Sequence, residues 1–102
     1  MDINEFYGQS GHELIQQLGR RFASYRKQVR MTQKDLSIQS GISVFTISTF
    51  ENGSQTGLTL STLLKLLRGI GFLEEIDKLL PELPESPRAQ FYAKHRNSRS
   101  TS

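Results

Sequence analysis

The sequence predicts an all-α domain of five helices followed by a basic tail. Three observations carry that reading. Apolar residues recur at helical spacing in the first third of the chain. Good capping residues bracket each short segment that follows. A Leu-rich stretch then runs up to a group of prolines.

In "HELIQQLGRRFASYRKQVR", Leu14, Leu18, Phe22, Tyr25 and Val29 fall at steps of four, four, three and four. That is one stripe of an amphipathic helix. Gly19 inside it costs about 1 kcal/mol relative to Ala, which points to a packing reason. "MTQKDLSIQSG" opens on Thr32 with Asp35 three residues on, a capping-box pattern, and ends at Gly41, suited to a left-handed conformation after a helix. "SVFTISTFENG" has Ser43 as N-cap and Asn52-Gly53 as stop. Its β-branched content favours a strand, but the caps at both ends favour a helix. A helix puts Ile47 and Phe50 inward and Val44, Phe45, Ser48 and Thr49 largely outward. After the loop "GSQTGLTL", Thr59 caps a Leu-rich helix that stops near Gly69 to Gly71. "FLEEIDKLLP" predicts a fifth helix with Leu73, Ile76 and Leu80 on one side, ended by Pro81.

Residues 1–11 read as an N-terminal extension, 12–82 as the domain, and 83–102 as a linker and tail. Three prolines within 81–87 and a polar, basic end make a flexible C-terminal tail, with Phe91 and Tyr92 as its packing residues.

The chain of 102 residues has no cysteine, so no disulfide or thiolate metal site is expected. His12 and His95 stand far apart, and no metal or other cofactor is implied. No apolar run approaches the roughly 20 residues of a membrane span. The acidic start "MDINEFYGQSGHE" lacks an apolar signal core, so a cytoplasmic protein is expected. There is no nucleophile–base motif and no phosphate-binding glycine loop, so no enzyme and no catalytic residue is expected.

Net charge is +3, unevenly spread. Arg20, Arg21, Arg26, Lys27, Arg30 and Lys34 form a run without an acid. Asp35 to Glu85 is acidic in balance, and Arg88, Lys94, Arg96 and Arg99 follow without an acid. Two basic segments around an acidic middle suggest a polyanion met by particular surfaces; ordinary solubility charge is the alternative. By contrast, Leu36 to Phe50 holds no charge at all.

Two short helices joined by "SGIS", with Leu36, Ile42 and Ile47 as shared core and a small Ser37 between, make a helix-turn-helix arrangement. The second helix of such a pair enters the DNA major groove. Residues 14–80 resemble the Xre/lambda-repressor-like family of five-helix domains. The resemblance rests on Thr32-Gln33, Leu36, Gly41-Ile42-Ser43, Ile47 and Glu51-Asn52-Gly53. Ser37 departs from the family's usual Ala. The outward face of the third helix lacks the family's frequent Gln, Arg or Lys. Within the family, "TLSTLLKLLRGIGFLEEIDKLLPE" and the Pro-then-basic tail look most like HipB-type antitoxins, homodimeric repressors encoded beside a kinase-like toxin.

The resemblance implies roles. Arg26 and Glu51 match a pair that links the first helix to the end of the third. Gln33 matches a backbone-phosphate contact, or else a solvated helix start. Ser43 and Asn52 match caps that also reach phosphates. Arg26, Lys27 and Lys34 add positive charge near the backbone. Val44, Phe45, Thr46, Ser48 and Thr49 would face base edges, with Phe45 and the Thr49 methyl suited to thymine methyl groups. Leu64, Leu67, Leu79 and Leu80 belong to a leucine excess that one face cannot bury, which predicts a dimer interface. The implied partners are double-stranded DNA, a second copy of the chain and a kinase-like toxin. A helix-turn-helix module used only for protein contact is the competing reading, and the uncharged third helix is its support.

Overall fold

The computed structural model describes residues 2–84 and Arg88. Among them there are helices and no strand. In chain order these are α1 (Ile3–Tyr7), α2 (Gly11–Gln28), α3 (Gln33–Ser40), α4 (Val44–Glu51), α5 (Leu60–Ile70), a 3-10 turn (Leu73–Glu75) and α6 (Ile76–Leu79). None is long and apolar enough to cross a membrane.

Local hydrogen bonds set most of the boundaries. Ser10, Thr32, Ser43 and Thr59 each accept the backbone N–H three residues on, so α2 to α5 all begin on a hydroxyl cap. At α3 the Thr32 backbone N–H also donates to the Asp35 carboxylate at 3.0 Å, completing the capping box. Gly41 ends α3 with φ +75°, a left-handed conformation that any side chain would strain. Ser40 Oγ accepts from the Ile42 N–H at 3.1 Å and donates to the Leu36 carbonyl at 2.7 Å, which fixes the turn into α4.

The core is Phe22, Leu36, Ile47, Phe50, Leu66 and Ile70, one or two residues from each of α2 to α5. Phe50, Leu36, Ile47 and Leu66 are completely enclosed. Each such burial stabilises the fold by about 1.5–3 kcal/mol. The Phe22 and Phe50 rings meet at 5.6 Å and hold α2 against α4.

Two expectations need correction. The buried stripe of α2 is not Leu14, Leu18, Phe22, Tyr25 and Val29. It runs through Ile15, Gly19, Phe22 and Arg26, while Leu18, Tyr25 and Val29 are exposed. The reason is the close approach of α4: a Cβ on Gly19 would overlap the Phe50 carbonyl, so the helices meet at the glycine. The segment Phe72 to Leu80 is not one helix but a 3-10 turn and a single helical turn. The Phe72 N–H reaches back to the Leu67 carbonyl at 2.9 Å, and its ring packs on Tyr25 at 5.0 Å, which folds the chain over α5. The N-terminal extension carries α1, capped by the Asp2 carboxylate on the Glu5 N–H at 2.9 Å. The tail, apart from Leu83, Pro84 and Arg88, lies outside the described residues, and so do Phe91 and Tyr92.

Candidate nucleic-acid interface

The centre of the arrangement is the Glu51 carboxylate at the last turn of α4. Arg26 on α2 donates from Nε to Oε2 at 2.7 Å and from Nη2 to Oε1 at 2.8 Å. Gln33, at the first position of α3, donates from Nε2 to Oε1 at 3.1 Å. Arg26 also donates from Nη1 to the Met31 carbonyl at 2.6 Å, in the link between α2 and α3. Three helices are thus tied to one carboxylate. Arg26 and Glu51 are each only 7% exposed. The hydrogen bond to Glu51 raises the Arg26 pKa further, against the lowering effect of burial, so the guanidinium stays charged. A planar fork matched to a carboxylate fixes angle as well as distance, and so fixes the pitch of α4 relative to α2.

This placement changes two roles. Arg26 lies inside the domain, so it positions α4 rather than presenting an open cation at the surface. The Gln33 amide spends one donor on Glu51 and is partly buried. Lys27 and Lys34 are exposed, on the two sides of the α2–α3 link.

The other face of α4 turns away from the core. Phe45 is 75% exposed and Val44 42%. Thr46, Ser48 and Thr49 are half-buried, and Asn52 is exposed. Ser43 caps the helix with its Oγ on the Thr46 N–H at 3.1 Å, leaving its own position open to solvent. Asn52 closes α4 and accepts on Oδ1 from the Ser54 N–H at 2.8 Å and the Ser54 hydroxyl at 2.6 Å. The Thr49 hydroxyl lies 2.8 Å from the Phe45 carbonyl, so it is tied to its own helix instead of pointing freely outward. The result is an open, uncharged helix face with an aromatic ring in its first turn.

The four leucines expected at a dimer interface do not share one environment. Leu79, Leu80 and Leu64 are exposed. Leu67 is half-buried and packs against its own core. With Leu18, Tyr25, Phe72 and Leu79 it lines an apolar cavity of about 210 Å³ between α2, α5 and α6.

Some connections left no mark in the sequence. Gln16 donates from Nε2 to the Gly53 carbonyl at 2.9 Å, and His12 Nδ1 pairs with the Thr56 hydroxyl at 2.8 Å. Together they tie the start of α2 to the loop after α4. Gln55 in that loop lies 2.9 Å from the Thr49 hydroxyl through its side-chain oxygen. All three join residues whose types are common on any polar surface, so only the folded chain reveals them.

Comparison with known proteins agrees with this geometry. A family model described as a helix-turn-helix domain matches residues 17–79, from within α2 to the end of α6. Searches of curated proteins and of solved structures gave no significant match. The matched region covers more than half of the chain and contains α3, its turn and α4 entire. The chain belongs to the helix-turn-helix domain family.

Proposed function

We propose that this protein is a sequence-specific DNA-binding transcriptional regulator, a dimeric repressor that lays α4 in the major groove, and a binding protein rather than an enzyme. The observation that carries the reading is the exposed face of α4. An open phenyl ring at Phe45, flanked by Val44 and by hydroxyl side chains, is costly in water and suited to base edges and thymine methyl groups. The exposed Lys27 and Lys34, on either side of the α2–α3 link, suit the phosphates. The exposed Leu64, Leu79 and Leu80 support a second copy as partner. Two copies would set their α4 helices about one turn of DNA apart. The antitoxin reading, with a kinase-like toxin as partner and action in the cytoplasm, rests on the resemblance to HipB-type proteins and extends the same proposal.

The test is fluorescence anisotropy with duplex DNA from the region upstream of its own gene, at two salt concentrations. Each phosphate neutralised contributes a slope of about −0.9 in log K against log salt. Tight binding with a steep slope supports the regulator. Absent or salt-independent binding rejects it in favour of a module for protein contact. For the antitoxin, the measurement is co-purification with the product of the neighbouring gene, and a neighbour that is neither kinase-like nor bound rejects that extension.

A further inference from the structure

The outward line of α4, taken at helical spacing, is Phe45, Thr49 and Asn52. It offers little that can tell one base pair from another by paired hydrogen bonds. Hydroxyls suit several bases, and an apolar ring reads only a methyl group. Asn52 is an amide, but both acceptor positions of its Oδ1 are taken by Ser54. The Gln33 amide is turned inward to Glu51.

Gln55 differs from both. It follows α4 in the loop, and its backbone N–H donates to the Thr49 carbonyl at 3.0 Å. Its side-chain oxygen meets the Thr49 hydroxyl at 2.9 Å. That hydroxyl is itself seated on α4, within reach of the Phe45 and Thr46 carbonyls at 2.8 and 3.2 Å. The Gln55 side chain is therefore held against the outward line of α4, one turn from Phe45, by an anchored group. Among the described residues its Nε2 donates to nothing, and its oxygen keeps a second lone pair. If the amide is turned over, a hydroxyl accepts as readily as it donates, and one N–H and the carbonyl oxygen are still available.

We propose that Gln55 is the principal base-reading residue of this protein and selects adenine in the major groove. The inference rests on the DNA-binding reading above. A glutamine amide pairs with the N6 and N7 positions of adenine through one donor and one acceptor. Here the loop after α4 supplies the amide that the helix itself lacks, and Thr49 positions it.

The experiment is selection from a duplex library randomised over about two helical turns. It uses the full chain and the variants Gln55→Ala and Gln55→Glu. The native protein selects a motif with adenine at one position of each half-site. Gln55→Ala loses roughly tenfold of the preference at that position and leaves the others intact. Gln55→Glu moves the same position toward cytosine, whose N4 amino group donates to a carboxylate. The near-isosteric Glu variant carries the test if the Ala variant does not fold. Identical motifs from all three proteins overturn the role of Gln55 while leaving DNA binding in place. A native protein that enriches no sequence overturns the DNA-binding reading as well.

Discussion

The Arg26 guanidinium and the Glu51 carboxylate face each other edge to edge, with two donor–acceptor distances of 2.7 and 2.8 Å inside the domain. The pair spans α2 and α4, whose relative angle decides how the exposed face of α4 is presented. Desolvating two charges is expensive, so the pair is not a large net source of stability. Its value lies in specifying one arrangement, because any shift of α4 breaks a bidentate bond.

Arg26→Ala leaves Glu51 buried without its main partner and also frees the Met31 carbonyl. We expect a loss of about 3–5 kcal/mol in urea unfolding. Replacing both members by apolar residues, Arg26→Met with Glu51→Leu, restores most of that stability, since neither charge remains to be desolvated. Arg30 is the control: it is exposed, so Arg30→Ala changes stability by less than about 0.5 kcal/mol. In a DNA titration, Arg26→Ala weakens binding more than Arg30→Ala does. Equal losses would mean that Arg26 acts as one charge among several.

Gly19 tests the contact between α2 and α4 directly. A Cβ there would lie 2.9 Å from the Phe50 carbonyl carbon and closer still to its oxygen, both backbone atoms that cannot swing aside. Gly19→Ala should destabilise by about 1–3 kcal/mol or more through overpacking, although Ala is the better helix former. Gly11, in the first turn of the same helix, has nothing within 4 Å of a Cβ. Gly11→Ala should be neutral or stabilising by at most about 1 kcal/mol. Thermal melts of the two variants moving in the same direction would argue against close approach at Gly19.

These two positions also explain what sequence reading captured. The starts of α3, α4 and α5 were legible because Thr32, Ser43 and Thr59 act within three residues of themselves. Gly41 and Gly71 were legible as stops for the same local reason. The buried face of α2 was not. It includes a glycine and an arginine, and neither looks like core until Phe50 and Glu51 arrive from elsewhere in the chain. A stripe built from Leu18, Tyr25 and Val29 was the natural choice by hydrophobicity, and those residues instead flank the buried line. The split between the 3-10 turn and α6 depends on Phe72 reaching Tyr25, a tertiary contact. Within the candidate interface, the exposure of Phe45 was legible from helical spacing, whereas the Thr49–Gln55 bond depends on how the loop folds back.

Acid should loosen the start of α3. The Thr32 backbone N–H, and then its hydroxyl, hold the Asp35 carboxylate below its ordinary value of 3.8. With the folded value below the unfolded one, the unfolded chain binds more protons in between. The contribution is therefore fully present above about pH 4 and is lost as pH falls through the folded value. Asp35→Asn should flatten this part of the acid limb of a stability profile and leave the neutral region with a weaker cap. An unchanged acid limb would show that the carboxylate gains nothing from Thr32.

Phe45 separates the surface from the core most sharply. Its ring is three-quarters exposed, so Phe45→Ala removes little buried area and should change unfolding free energy by less than about 0.5 kcal/mol. Under the proposed function the same substitution removes an apolar contact with a base. The expected cost is about 1–3 kcal/mol against the preferred sequence, the size of one mismatched base pair. Binding to unrelated duplex should barely change, because no charge is lost and phosphate contacts dominate that mode. The measurement is a pair of anisotropy titrations, preferred duplex against unrelated duplex, alongside a urea melt of the same preparation. A uniform loss on both duplexes with an intact fold would place Phe45 outside base recognition. A fall in stability of several kcal/mol would instead make it part of an interface that the isolated chain leaves uncovered.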